Sequence, residues 1–69
     1  MPAMNEVLEE VRLEHGLTRQ RISDVYGSST SLIIFDIETG EIPVAPRHIK
    51  AYARATGLTA LQICRRARH

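Results

Sequence analysis

The stretch that decides the fold runs from Thr18 to Gly40 and reads T-R-Q-R-I-S-D-V-Y-G-S-S-T-S-L-I-I-F-D-I-E-T-G. Thr18 is a favourable N-cap, and the apolar residues after it predict a helix over residues 19–26 that ends at Gly27. Four hydroxyl residues follow, and each is a candidate N-cap for a second helix, expected over residues 30–38. The stretch therefore predicts two short helices joined by a tight turn.

The second of these helices contains an unfavourable pair, Ile33-Ile34, because β-branched residues suit a strand better than a helix. No partner strand is evident, however, and the flanking segments are helical. We therefore predict a helix here.

A further helix is expected before this unit, over residues 4–15. Its apolar residues recur at the spacing of one helix face, and they are Met4, Val7, Leu8 and Val11. Leu13 lies off this stripe, where we expect it to be exposed. Gly16 ends the helix, because glycine tolerates the left-handed conformation of a C-terminal cap.

Two more helices are expected after the central unit. Pro46 is well placed as the first residue of a helix over residues 46–56. Its expected core positions are Ile49, Tyr52, Ala53 and Thr56. Thr59 then caps a short helix over residues 60–66, whose apolar residues are Leu61, Ile63 and Cys64. The chain is thus predicted to be a single all-α domain of five short helices.

Composition limits the possible classes of protein. A chain of 69 residues has a small core, so dimerisation is expected to add stability. The single cysteine, Cys64, excludes an internal disulfide; we expect a small buried apolar side chain, with a reactive or intermolecular thiol as the alternative. No signal peptide is seen, and no run approaches the ~20 apolar residues that span a bilayer, so an intracellular, cytoplasmic protein is expected.

The charges are segregated along the chain. Residues 1–41 hold eight acids and three bases, whereas residues 42–69 hold six bases and no acid. Such asymmetry predicts a positive face for an anionic partner, or a dipolar surface that pairs with itself in a dimer. The basic tail, residues 65–69, contains Arg65, Arg66 and Arg68, which we expect to contact flanking phosphates, to flank a dimer seam or to be solvated.

Several short motifs follow one another in order. They are L8-x-x-V11, G16-L17-T18, I22-S23-x-x-Y26-G27, I34-x-x-I37-E38-x-G40, and I49-x-x-Y52-A53-x-x-T56-G57-L58-T59 with Ile63. Together they resemble the lambda-repressor-like (Xre/Cro type) helix-turn-helix family, from Val7 to Cys64. In that family G-L-S/T leads into helix 2 and I-E-x-G closes the recognition helix. The resemblance implies a compact five-helix domain that binds double-stranded DNA.

The resemblance also implies which residues contact DNA. In the family, the start of helix 2 contacts phosphate, the start of helix 3 enters the major groove, and the start of helix 4 touches the backbone. Carried over, these contacts fall on Thr18, Arg19, Gln20, Arg21, Ser28, Ser29, Thr30, Ser31, Leu32, Phe35, Arg47 and Lys50. Solvated arginines and simple N-cap hydroxyls remain the alternatives for the charged and hydroxyl members.

Two departures from the family pattern affect this transfer. The segment from Gly27 to Gly40 is one residue longer than usual, so the register through residues 28–31 is ambiguous by one. The exposed face of helix 3 also lacks the Gln, Arg, Asn or Lys residues that family members usually show there.

Leu32 and Phe35 are the unusual residues of helix 3. Three interpretations stay open: packing on thymine methyl groups in the groove, an apolar patch for a protein partner, or burial in the core. Asp36 would repel phosphate unless it accepts from a cytosine amine or pairs with an arginine. We expect it to pair with Arg19 or Arg21.

The sequence offers little for catalysis. Its histidines, His15, His48 and His69, lie in different segments, and no metal-ligand spacing occurs. No Gly-rich phosphate loop with a lysine is present, and no nucleophile–base pair can be argued. We therefore expect neither an enzyme nor a bound cofactor or metal.

Two functions are consistent with these features. The first is a sequence-specific DNA-binding transcriptional regulator, a small homodimeric repressor of phage or mobile-element type. The second is a helix-turn-helix fold used as a protein-interaction module, with Leu32, Phe35, Asp36, Glu38 and Glu41 as the partner surface. The basic second half of the chain favours the first function, and the composition of helix 3 favours the second.

Overall fold

The computed structural model describes residues 3–67. They form five helices: α1 (Met4–Glu14), α2 (Arg19–Tyr26), α3 (Leu32–Thr39), α4 (Pro46–Thr56) and α5 (Ala60–Arg66). No β-strand occurs between residues 3 and 67. The predicted all-α five-helix domain is confirmed, and the helix predicted across Ile33-Ile34 is present. The bounds of α2, α4 and α5 agree with the prediction, whereas α1 ends one residue earlier.

The predicted helix starts have the expected chemistry. Thr18 Oγ1 accepts a hydrogen bond from the backbone N–H of Arg21 at 3.1 Å. At α5, Thr59 Oγ1 accepts from the Gln62 N–H at 3.1 Å, and Gln62 Oε1 accepts from the Thr59 N–H at 2.8 Å. This reciprocal pair satisfies two backbone donors that the helix cannot satisfy itself.

The third helix begins at Leu32, two residues later than predicted. The hydroxyl run folds as a turn instead: Thr30 Oγ1 accepts from the Leu32 N–H at 3.3 Å, and Ser28 Oγ donates to the Thr30 carbonyl at 3.0 Å. Ser31 occupies the N-cap position of α3, but its side chain makes no capping hydrogen bond. Short polar side chains compete with helix geometry in this way by bonding nearby backbone groups.

The core is aliphatic apart from Tyr52, and every helix contributes to it. Its buried apolar residues are Val7, Leu8, Val11, Ile22, Ile34, Ile37, Ala51, Tyr52 and Ile63. The apolar stripe predicted for α1 faces this core, with Met4 half-buried at its edge. Leu13 is 61% exposed, as predicted.

Two predicted faces need correction. On α4, Ile49 and Ala53 pack against the core as predicted but are only half-buried, like Thr56; the buried residues besides Tyr52 are His48 and Ala51. The buried stripe is shifted because α4 packs most extensively on α2. On α5, Leu61 is 58% exposed and Cys64 is half-buried with a free thiol, because this two-turn helix packs on α1 and α4 with one side only, and Ile63 is its buried residue.

The packing of the helices places α3 next to α1 and α2, and α2 next to α4. α1 packs on α3, α4 and α5, while α2 packs on both α3 and α4. The domain measures 35 × 25 × 20 Å. α2 and α3 therefore form a helix-turn-helix unit supported from behind by α1 and α4.

Candidate nucleic-acid interface

A buried serine fixes the turn between α2 and α3, residues 28–31. Ser23 is fully buried in α2, and its Oγ lies 2.6 Å from the carbonyl oxygen of Thr30 and 3.2 Å from that of Ser28. The hydroxyl therefore ties the turn backbone to α2 and limits how far α3 can move relative to it. Sequence reasoning did not assign this role to Ser23.

The other end of α3 is held by a buried carboxylate, Glu38. Arg12 of α1 donates to both of its oxygens, from Nε at 2.7 Å and from Nη2 at 3.0 Å. Tyr52 of α4 donates its hydroxyl at 2.6 Å, and Arg19 of α2 donates from Nε at 3.0 Å. Glu38 thus joins all four of the longer helices at one point.

This network corrects the predicted protein-partner surface. The Glu38 side chain is fully buried, so it cannot contribute charge to an exposed acidic patch with Asp36 and Glu41. The burial of Glu38 has one indication in the sequence: the residue directly follows Ile37, on the side of α3 that faces the core. Its partners in α1 and α4 could not be identified without the packing.

The environment of Glu38 shifts the pKa values of the network. Burial alone raises the pKa of the Glu38 carboxyl, but hydrogen bonds from Arg12 and Tyr52 and the charge of Arg12 outweigh it, and the pKa falls below its usual 4.5. The Glu38 hydrogen bond raises the pKa of Arg12. Burial, followed by the bond to Glu38, raises the pKa of Tyr52. The carboxylate, the guanidinium and the neutral phenol are all favoured near neutral pH.

Arg19, a predicted phosphate contact, is paired with acidic side chains of the protein itself. Besides Glu38, its guanidinium meets Glu9 Oε2 at 3.5 Å, and it lies over the Phe35 ring at 5.1 Å from the centroid. The side chain remains partly exposed at the start of α2. Its contact with phosphate stays a prediction. In the structure, its ion pairs link α2 to α1 and α3.

The outer face of α3 is apolar. Leu32 is 66% exposed and Phe35 is 45% exposed, so the interpretation that places them in the core is wrong. An eight-residue helix can bury only one side, and Ile34, Ile37 and Glu38 occupy that side here. The groove and protein-partner interpretations of Leu32 and Phe35 both remain open.

Asp36 does not pair with Arg19 or Arg21 as expected. Within residues 3–67 its carboxylate makes no ion pair, because Arg19 turns to Glu38 and Glu9. Arg21 is exposed and has no ion-pair partner in the same range.

The remaining polar residues of the unit divide into two groups. Thr18 is used as a cap, Gln20 Nε2 donates to Asp24 at 2.9 Å, and Ser28 and Thr30 bond within the turn. The hydroxyls of Ser29 and Ser31 contact none of the other described side chains by hydrogen bonds. Ser29 and Ser31 are therefore the members of the turn with hydroxyls available to a ligand.

A cleft of about 500 Å³ lies between α2 and α4. Its lining combines apolar surface with three cations, and consists of Val25, Tyr26, Ala51, Arg47, Lys50 and Arg54. Arg47 Nε donates to the Tyr26 hydroxyl at 3.1 Å. The structure thus brings the predicted contacts Arg47 and Lys50 together and adds Arg54, which the sequence analysis missed. The sequence does indicate this grouping, because the three cations are spaced three and four residues apart and so lie on one face of α4.

His48, next to Arg47, points inward rather than toward a ligand. It is buried, its Nδ1 accepts from the Ala45 N–H at 3.0 Å, and its ring centroid lies 5.5 Å from that of Tyr26. Its Nε2 has no hydrogen-bond partner in the part of the chain that the structure describes. Burial, followed by the charge of Arg47, lowers the pKa of His48 below 6.5. The neutral imidazole therefore belongs to the cap of α4.

The basic end of the chain is partly neutralised. Arg66 Nη1 lies 2.8 Å from both carboxylate oxygens of Glu14, so α5 is clamped to α1. Arg65 is exposed. Arg68 and His69, part of the predicted basic tail, lie outside the described residues.

No group of three or more His, Cys, Asp or Glu side chains within residues 3–67 is arranged to hold a metal ion. None of the helices in that range has the length and apolarity to cross a membrane.

Comparison of the chain with protein-family models, curated proteins and solved structures finds no match. The likeness to the lambda-repressor-like family therefore rests on the motifs and their spacing alone.

Proposed function

We propose that this protein is a sequence-specific DNA-binding transcriptional regulator. The observation that carries the proposal is the disposition of α3. Ser23 and Glu38 anchor its two ends, and its outer face is exposed. Cations without an ion-pair partner among residues 3–67 lie near the starts of α2 and α4, and they are Arg21, Arg47 and Lys50. Rigid presentation of one helix face between cations is what recognition of a major groove needs.

In this proposal the first turn of α3 enters the major groove. Ser29 and Ser31 would bond base edges, with weak discrimination because a hydroxyl both donates and accepts. Leu32 would pack on thymine methyl groups. Arg21, Arg47 and Lys50 would meet phosphates on either side, which supplies affinity rather than specificity.

The proposal includes a homodimer that binds two half-sites related by a two-fold axis, about one helical turn apart. Such a complex would act in the cytoplasm as a repressor by covering a promoter, as small repressors of phages and mobile elements do. A dimer would also supply stability that a domain of this size gains only modestly from its own core.

The first test is binding to random duplex DNA over a range of salt concentrations. The logarithm of the binding constant should fall linearly with the logarithm of salt, by about 0.9 for each phosphate contact. Arg47→Gln and Arg21→Gln should each reduce that slope by about 0.9. Ala60→Glu, which lowers the net charge equally at an exposed site on α5, is the control. Absence of binding at low salt would contradict the proposal.

Specificity needs a separate measurement. Selection from random duplex oligonucleotides should enrich a two-fold-related site containing thymines opposite Leu32, and Leu32→Ala should weaken that preference by about 1 kcal/mol per thymine methyl group, near the ~0.8 kcal/mol of one buried methylene. If the selection enriches no particular sequence, the protein does not recognise bases and the proposed sequence specificity is wrong.

A second candidate function is protein binding through α3. Leu32 and Phe35 form an exposed apolar pair beside Asp36, which makes no ion pair among the described residues. This combination is unusual for a helix that faces phosphates. This function predicts that Phe35→Ala abolishes a complex with another protein while Arg47→Gln leaves that complex unchanged. If Arg47→Gln instead weakens binding to DNA and no protein complex depends on Phe35, the DNA-binding function is supported.

A further inference from the structure

The cations of the cleft between α2 and α4 differ from the arginines that link the helices of the bundle. Arg12, Arg19 and Arg66 each pair with a glutamate. Arg47, Lys50 and Arg54 pair with none within residues 3–67, and no acid lines the cleft. Three like charges held together cost free energy through repulsion, which an anion in the cleft would relieve.

The spacing of these cations fits a linear polyanion. Arg47, Lys50 and Arg54 follow one face of α4, and at 1.5 Å per residue they extend over about 10 Å. Phosphates of one DNA strand recur about every 3.4 Å of duplex axis, so a row of this length meets more than one of them. A single small anion would instead be held by donors that converge on one point.

One of the cations is already oriented. The bond from Arg47 Nε to the Tyr26 hydroxyl restricts the side chain, so less rotamer freedom is lost when its outer nitrogens bind phosphate. Val25, Ala51 and the Tyr26 ring supply the apolar part of the lining, on which sugar groups can pack.

We infer that this cleft binds successive phosphates of one DNA strand, so that the backbone contact runs along α4 as far as Arg54. The inference rests on the proposed function and extends it. Contacts at the start of α4 alone would end at Lys50. With Arg54 included, the protein covers more of the flanking strand than the bases opposite α3 require.

The test compares Arg54→Gln with the intact chain. At 0.1 M salt the loss of one phosphate contact should weaken binding to duplex DNA roughly eightfold and reduce the salt slope by about 0.9. Arg54→Lys should keep most of the affinity, because the charge is retained. Tyr26→Phe should give a smaller loss than Arg54→Gln, because Arg47 keeps its charge and loses only its orientation.

Ala60→Glu is again the matched control, since it changes net charge by the same amount outside the cleft. Arg54 is exposed and makes no ion pair within the described residues, so the loss of affinity should come without a fall in the thermal midpoint. If Arg54→Gln weakens binding no more than Ala60→Glu does, while Arg47→Gln still does, the inference fails and the proposed function stands. If the intact chain binds no duplex at low salt, the proposed function itself fails.

A further arm identifies the source of the phosphate. Inorganic phosphate and a nucleoside triphosphate are titrated into the free protein, and the backbone amide shifts of α4 are followed by NMR. Weak binding of both, displaced by duplex DNA, supports a strand site. Tight triphosphate binding that depends on Arg54 and persists with DNA bound would overturn it in favour of a small phosphorylated ligand.

Discussion

Glu38 is the residue through which α3 makes hydrogen bonds to α1, α2 and α4. Its two oxygens accept four hydrogen bonds, from Arg12, Arg19 and Tyr52. A buried carboxylate is tolerated only when its acceptor sites are filled in this way. The same arrangement makes the residue hard to replace, because loss of the carboxylate leaves the buried Arg12 without its counter-ion.

Glu38→Gln should therefore lower the free energy of unfolding by about 3–5 kcal/mol, the usual cost of breaking a buried pair from one side. Urea denaturation measures it, with the exposed Glu41→Gln as the control, expected within about 0.5 kcal/mol of the original chain. A loss for Glu38→Gln of under about 1 kcal/mol would mean that the pair behaves like an exposed one.

At the scale of elements, different kinds of hydrogen bond hold the turn 28–31 and the C-terminal end of α3. Charge-assisted bonds at Glu38 hold the end of α3, whereas a single neutral hydroxyl, Ser23 Oγ, holds the turn. Neutral hydrogen bonds contribute less than charged ones. The turn is therefore the weaker end, and it is also the end that the proposal places in the groove.

Ser23→Ala should cost about 1–3 kcal/mol of stability, because the turn carbonyls lose a buried donor. Hydrogen exchange should show the loss mainly as faster exchange of the amides at the start of α3. Ser29→Ala, whose hydroxyl bonds no described residue, should leave both stability and exchange unchanged. If Ser23→Ala instead accelerates amide exchange equally in all five helices, the hydroxyl does not have a local role.

At the scale of the whole molecule, two buried groups couple stability to pH. The pKa of His48 is lowered by burial and by Arg47, so below about pH 6.5 the unfolded chain takes up a proton that the folded one excludes. The pKa of Glu38 is also lowered, by its hydrogen bonds against the effect of burial, so below about pH 4.5 the unfolded chain again binds the proton first. Both groups make stability fall as the pH falls, in two successive windows.

Urea unfolding at a series of pH values should show these windows. One differentially bound proton corresponds to a slope of at most about 1.4 kcal/mol per pH unit. His48→Gln keeps an acceptor for the Ala45 N–H without titrating, so it should flatten the decline just below pH 6.5 and leave the one below pH 4.5. An unchanged upper window in His48→Gln would show that another group causes it.

Much of the fold follows from local chemistry, and so it was predictable. The caps Thr18 and Thr59, the glycine stops and Pro46 gave the bounds of α2, α4 and α5 because each acts within a few residues of itself. The start of α3 was misplaced where several hydroxyls competed for one cap. Of the predicted site, Arg47 and Lys50 do lie together, while Arg19 is paired with Glu38.

The sequence by itself determined five helices, their stops and the exposure of Leu13, because propensity and capping depend on neighbours along the chain. Only the tertiary structure decided that Glu38 meets Arg12, Arg19 and Tyr52, which lie 14 to 26 positions from it. It also decided that His48 is buried, that Leu32 and Phe35 are exposed, and that Arg54 joins Arg47 and Lys50. These outcomes depend on which faces the helices turn toward one another, and that choice is made by the whole core at once.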